Sequence, residues 1–228
     1  MLRQLLLSFE DLIFPQYCVK CTRPISDPEI FICEGCLTQF ERSGLENWVQ
    51  KLTCNDYLDF AFSPYWFDDL MNRCIHRAKY NHSLRLLNNI VGTTNEILIP
   101  LVENMGIEVL IPVPLYSVKK RERGYNQSEI IANCMSEFLK IPINTCMIKR
   151  VRWTTSQTKL NLQERNNNIR HAFKAIGKTP IKRIAVIDDV LTTGSTTNEC
   201  ARILKQNGAE VVGVISLATP KMRVENPD

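Results

Sequence analysis

Nowhere does this 228-residue sequence offer the roughly 18 uninterrupted apolar residues that a membrane-spanning helix requires. The nearest approach, MLRQLLLSFEDLIFPQYC at residues 1–18, is broken by Glu10 and Asp11 and leads to no small-residue cleavage site. It reads as an amphipathic helix rather than a secretory leader. Histidine is scarce as well. His76, His82 and His171 stand apart from one another, so each reads as structural and no general base stands out among them. A strong charge of one sign is also missing: the net charge is +4, and 44% hydrophobic residues supply a real core and exclude a disordered chain. Cysteine is the opposite case. Nine are present, an odd number and mostly scattered, the usage of a reducing compartment, so the cytoplasm is the expected location.

The small net charge conceals an uneven distribution. From Ser117 to Arg170 eleven Lys/Arg (Lys119, Lys120, Arg121, Arg123, Lys140, Lys149, Arg150, Arg152, Lys159, Arg165 and Arg170) stand against four Glu (Glu122, Glu129, Glu137 and Glu164). Such a concentration in a near-neutral chain suggests an anionic ligand, either a polyphosphate or a nucleic-acid backbone. A solvated basic face is the bland alternative.

Four cysteines are not scattered. Cys18 and Cys21 in CVKC, then Cys33 and Cys36 in CEGC, form a C-x2-C-x11-C-x2-C pattern. Each C-x2-C turn aims two sulfurs at one point, and two turns supply four thiolates for tetrahedral Zn²⁺. With every position taken by sulfur, such a zinc is structural rather than catalytic. Two disulfides are the competing reading. Cys54, Cys74, Cys134, Cys146 and Cys200 lack ligand spacing and read as small core residues. Residues 1–55 are accordingly expected to form an N-terminal helix and cysteine module, and residues 56–228 the main domain.

Beyond Trp48 the pattern is regular. DLMNRCIHRAKY carries helical spacing at Leu70, Cys74, Ile75 and Ala78, and a second helix is expected from Leu84 to about Leu101. Further on, EVLIPVP, RIAVIDD and EVVGVISLA read as buried strands, separated by the helices QSEIIANCMSEFLK and STTNECARILKQNG, the latter stopped at Gly208. Strand–helix alternation with strands apolar on both faces implies a parallel sheet flanked by helices. Ligands of such sheets sit at the carboxyl ends of the strands, where Asp188 and Asp189 fall.

The turn that follows, Thr192-Thr193-Gly194-Ser195-Thr196, opens a helix. Backbone N–H groups at a helix start lack intrahelical partners, and with four hydroxyls and the positive helix end they make a monophosphate cradle. Gly194 admits close approach and unusual dihedrals. The two upstream carboxylates suit ribose hydroxyls, or Mg²⁺ through water. A strand end whose Asp and Thr merely cap the next helix is the plainer alternative.

VIDDVLTTGST at a strand–turn–helix junction closely resembles the motif of type I phosphoribosyltransferases. IPVPLYSVKKRERGYNQSEIIA (111–132), TSQTKLNLQERNNNIRHAF (155–173), the four-cysteine module and the Lys79-Tyr80 pair extend the likeness over nearly the whole chain. Together they resemble the ComF family of competence-associated, phosphoribosyltransferase-like proteins. That resemblance implies the type I phosphoribosyltransferase fold, with 5-phosphoribosyl-1-pyrophosphate (PRPP) and Mg²⁺ as ligands. It assigns Asp188 and Asp189 to the ribose hydroxyls and metal, and Thr192, Thr193, Gly194, Ser195 and Thr196 to the 5-phosphate. The loop after Pro114 is implied to bind pyrophosphate, Lys119, Arg121 and Arg123 supplying charge and Gly124 the turn, with Asn126 and Gln127 holding loop or substrate. Thr155–Arg170, with Gln157, Thr158 and Arg165, reads as a mobile lid or a surface helix.

Two departures qualify the likeness. Relatives acting on 6-oxopurines place an aspartate base where this chain has Thr192, which argues against a hypoxanthine-type reaction. Longer family members add further paired cysteines, whereas only Cys54 stands in that region here. The expected function is phosphoribosyl transfer to an unknown acceptor, linked to DNA uptake. The alternatives are a non-catalytic accessory factor binding single-stranded DNA or a competence helicase, with Trp48, Tyr57, Trp66 and Trp153 as stacking surfaces, and a PRPP-sensing regulator.

Overall fold

In the computed structural model of the chain, the described residues are 16–25, 31–44, 47–81, 84–152, 169, 171–178 and 180–221. The first part holds β1 (Gln16–Tyr17), β2 (Pro24–Ile25), α1 (Glu34–Leu37), a 3-10 turn (Trp48–Lys51), β3 (Ala61–Phe62) and β4 (Tyr65–Trp66). Three helices follow, α2 (Asp69–Asn81), α3 (Leu84–Gly92) and α4 (Asn95–Met105), and lead into β5 (Val109–Pro112), α5 (Ser117–Arg123) and α6 (Gln127–Leu139). The chain continues through β6 (Ile148–Arg150), β7 (Phe173–Ala175), β8 (Arg183–Val190), α7 (Ser195–Gln206) and β9 (Val211–Thr219).

The main sheet runs β3/β4, β9, β8, β5, with every pairing parallel. Its strands are nearly continuous apolar runs because both faces are covered. In β8, Ala185 and Ile187 belong to the core shared with α2, α3, α4 and α6, while Ile184 and Val186 belong to the one shared with α7 and the β6–β7 ribbon. Period-two alternation thus feeds two cores, each buried Ile or Val contributing about 1.5–3 kcal/mol. Gly213 of β9 is the exception, since a Cβ there would stand 2.3 Å from the Phe60 ring. The cysteine segment leans on the first core: Cys18, Ile32, Cys36 and Phe40 are buried in it.

The expected parallel sheet flanked by helices is present, with three local corrections. The single helix expected from Leu84 to Leu101 is two helices, broken at Thr93-Thr94. There the Thr93 and Thr94 hydroxyls donate back to the Ile90 and Val91 carbonyls, 2.6 Å each. That back-bonding competes with the helical ladder. The loop expected after Pro114 is the short helix α5, stopped by Gly124 at φ +75°. Finally, β3/β4 at the sheet edge and the antiparallel β6–β7 ribbon carry no long apolar run. The amphipathic helix read over residues 1–18 falls mostly, at 1–15, outside the described residues.

Candidate active site at the end of the central strand

The two aspartates lie near the end of β8, just before its last residue Val190. Asp188 Oδ1 accepts from the Ser128 hydroxyl (3.1 Å), at the start of α6, and from the Asp189 N–H (2.9 Å). Asp189 Oδ1 accepts from the Val190 N–H at 2.9 Å, and its other oxygen pairs with the Lys79 ammonium from the last turn of α2. Both carboxylates, Lys79 and residues 190–192 and 194–197 line one cleft of about 250 Å³.

The floor of that cleft is a built turn. Leu191 N–H donates to the Ala218 carbonyl, and the buried Thr219 hydroxyl to the Leu191 carbonyl (2.9 Å), which ties the turn to β9. Gly194 then takes φ +81° and α7 starts at Ser195. Thr193 and Ser195 hydroxyls lie 2.9 Å apart, and the Thr197 hydroxyl donates to the Gly194 carbonyl at 3.1 Å. From behind, Cys54 N–H donates to the Thr193 carbonyl at 2.9 Å. Asp188, Asp189, Thr192, Gly194, Ser195 and Thr196 therefore share one cavity, with Thr193 braced beneath it.

Basic groups approach from three further elements. Helical spacing puts Lys119 and Arg123 of α5 on one half-buried face, and Arg121 on the opposite, exposed side. Burial, then the neighbouring charges of Arg123, Arg150 and Lys79, depress the Lys119 pKa. Three cations from α2, α5 and β6 thus lie within electrostatic reach of Lys119. Arg150 is itself pushed down by burial, opposed by the Cys200 and Asp188 charges, and lies 5.4 Å from the Phe173 ring. Such a concentration of like charge favours a multivalent anion. Asn126, 1% exposed, holds the loop: its amide donates to the Val113 carbonyl (2.9 Å) and its oxygen caps α6 by accepting from Ser128 N–H. Gln127 accepts from Arg123 at 3.1 Å.

Protein surrounds the Asp188 carboxyl although part of the residue borders the cleft. Burial first, and the Asp189 charge second, push its pKa up to about 7, against Asp189 N–H, Lys79 and Ser128. A raised carboxyl pKa means the folded state holds a proton that the unfolded chain releases. This group's stabilisation is therefore complete below the ordinary carboxylate range and lost as pH rises to about 7. Thermal melts of the ligand-free protein from pH 5 to pH 8 should show Asp188→Asn gaining on the wild type as pH rises. A constant difference across that range would remove Asp188 as the titrating group.

At the other end of the chain, the sulfurs of Cys18, Cys21, Cys33 and Cys36 all lie within 4.8 Å of one another, Cys21 and Cys33 at 3.7 Å. Tetrahedral Zn–S bonds of about 2.3 Å need sulfurs about 3.8 Å apart, so the four fit zinc. Burial disfavours the Cys18 thiolate, but N–H groups of Cys21, Cys33 and Lys20 outweigh it and bring the pKa to about 6. Burial and the other three thiols push Cys36 up to about 12. One sulfur ready as thiolate and one awaiting a cation is the electrostatics of a ligand set.

Gln157, Thr158 and Arg165 lie outside the described residues, as do Trp153 and His82. Strands β6 and β7 on either side of that stretch pair Arg150 with Phe173. Of the remaining aromatics, Trp48 is buried and meets Trp66 edge-on at 5.2 Å, while Tyr57 is 37% exposed. Ser128 and Arg150 escaped sequence reading as site residues, Ser128 because serine at a helix start ordinarily signals a cap. In the sequence, Lys79 stands out only as half of the Lys79-Tyr80 pair.

Fold and site define a parallel α/β protein in which an acidic strand end opens onto a hydroxyl-rich turn, a cationic surround and a separate thiol cluster. Competence protein F of Haemophilus influenzae is 31% identical over 202 residues, 82% of this chain and 77% of that one. DNA utilization protein YhgH of Salmonella typhimurium is 26% identical over 202 residues, 86% and 81% of the two chains. Among solved structures, a purine phosphoribosyltransferase from Pyrococcus horikoshii aligns over 61% of this chain and 78% of its own, at 19% identity and a TM-score of 0.37. No protein-family profile matches the chain. The chain belongs to the ComF family of competence proteins.

Proposed function

We propose that the cleft binds PRPP with Mg²⁺, in a protein that serves DNA uptake and transfers the phosphoribosyl group to an acceptor. The observation that carries the reading is the cavity that joins Asp188 and Asp189 to the turn at Thr192–Thr196. In it the 5-phosphate would rest on the hydroxyls and N–H groups at the start of α7, with the ribose diol at the two carboxylates. The pyrophosphate would face Lys119, Arg123 and Arg150, the two guanidinium groups lying within electrostatic reach of the Lys119 ammonium. Arg121, on the exposed side of α5, would act at the rim. Gln157, Thr158 and Arg165 remain the proposed lid.

The donor set fits Mg²⁺, which takes carboxylate oxygens and keeps several waters. When bound it would offset charge on the departing pyrophosphate. The chain's own residues would do the rest: Ser128 holds Asp188 in place, and the guanidinium groups stabilise the leaving group. Zinc at Cys18, Cys21, Cys33 and Cys36, a division near residue 55 and a cytoplasmic location complete the proposal. The role in DNA uptake rests on the names of the relatives, competence protein F and DNA utilization protein.

Calorimetric titration with PRPP and Mg²⁺ tests the site. Asp188→Asn/Asp189→Asn should weaken binding at least about 100-fold, the loss of two charge-assisted contacts of roughly 1.5–3 kcal/mol each. Equal binding by both proteins would remove the assignment. Pyrophosphate release across a panel of bases and amines then separates an enzyme from a sensor.

A further inference from the structure

Both oxygens of Asp189 are engaged in this structure. One accepts from the Val190 N–H and the other is paired with the Lys79 ammonium, the two side chains being 15% and 26% exposed. Asp188 takes its two donors on Oδ1. Lys79 sits in the last turn of α2 directly after Ala78, which is fully buried in the first core, so the backbone at its root is fixed. Its flexible four-carbon stem nevertheless lets the ammonium swing across the cleft. Lys119 lies within its electrostatic reach, so the ammonium stands between the carboxylates and a second cation.

We propose that Lys79 is the resident counter-ion of the acidic pair: it holds Asp189 when the cleft is empty and excludes a free divalent cation. It gives up Asp189 only when the cation arrives with a polyphosphate, whose oxygens then take the ammonium. This deepens the PRPP reading and rests on it for the second half. The physical argument is one of charge balance. A divalent cation on the aspartates would stand within about 4 Å of the ammonium, and two unpaired positive charges at that range in a half-buried cleft repel strongly. Adding an anion with several charges removes the conflict and gives Lys79 a new partner. Lys79 is thus a positioning residue that makes the site respond to the metal–polyphosphate complex rather than to the metal.

Mn²⁺ binding by the full-length, ligand-free protein, followed by electron paramagnetic resonance, tests the first half without any turnover. Wild type and Lys79→Arg, which keeps the charge, should bind Mn²⁺ weakly. Lys79→Met, which keeps the stem, should bind it at least about tenfold more tightly, and adding Asp188→Asn/Asp189→Asn should abolish that gain. In the companion titration, Lys79→Met should bind PRPP with Mg²⁺ about tenfold more weakly than wild type, with Lys79→Arg between the two. Mn²⁺ affinity equal in wild type and Lys79→Met would overturn the proposal, provided the melting curves coincide. If wild type bound no PRPP at all, the substrate reading would fall while the Mn²⁺ comparison still judged Lys79 as counter-ion.

Discussion

Removing one thiol from the cysteine cluster should have the largest effect of any single substitution in the chain. Cys36→Ser, or a strong chelator on the wild type, is expected to release one equivalent of zinc and lower the melting temperature by roughly 10 °C or more, the response to several kcal/mol in a domain of this size. The expectation follows from where the sulfurs sit. Cys36 is 5% exposed and packs into the same core as Leu70, Met71 and Cys74 of α2. Around it, β1 and β2 are two residues each and α1 four, too little regular structure to hold itself. Structural zinc contributes on the order of 10 kcal/mol to such a segment. Without it, buried thiol and serine hydroxyl would face the core unpaired, and the Arg77 guanidinium would lose the Phe31 ring 4.0 Å beneath it. Metal-free protein of wild-type stability would defeat the zinc assignment.

Gly194→Ala should come second. Its φ of +81° costs an L-residue roughly 1–2 kcal/mol. The added Cβ would also stand 2.5 Å from the Cys54 carbonyl oxygen and 3.1 Å from Leu52. Neither neighbour yields easily, because the Cys54 N–H is already bound to Thr193. Backbone must move, and the backbone that moves is the cradle. We expect about 2–4 kcal/mol of destabilisation together with a loss of PRPP affinity exceeding tenfold. Gly92→Ala is the control: it ends a helix, meets nothing within 4 Å, and should be neutral or mildly stabilising. Denaturant melts and a PRPP titration on both variants decide the matter. Comparable behaviour of the two would mean that Leu52–Cys54 does not brace the turn.

These two positions also mark how far the sequence could be read. The four cysteines were legible because a ligand set is a local spacing, and β5, β8, β9, α6 and α7 because each repeats apolar residues at one period. The acidic pair and hydroxyl turn were legible for the same reason: they are one continuous run. What could not be read is held by distant partners. AFSPYW becomes an edge strand only by pairing with β9, and Pro64 within it interrupts β-propensity. Lys79 becomes a site residue only by meeting Asp189, and Leu52–Cys54 matters only because Gly194 lies against it. Thr93-Thr94 could have been read from sequence, since two β-branched hydroxyl residues after Gly92 are a plausible helix break.

The pairing of β3/β4 with β9 has a consequence for the order of events during synthesis. Ser63 and Ser216, hydrogen-bonded across that edge, are 153 positions apart. While the ribosome makes everything between, Ala61–Trp66 has no strand to join, and β8 has a partner on one side alone. Non-local, parallel pairing of this kind is slow to form and leaves sheet edges open in the meantime. Of the described strands, β9 emerges last and closes the sheet at its centre, so nascent chains halted before Val211 should be unusually dependent on holding factors.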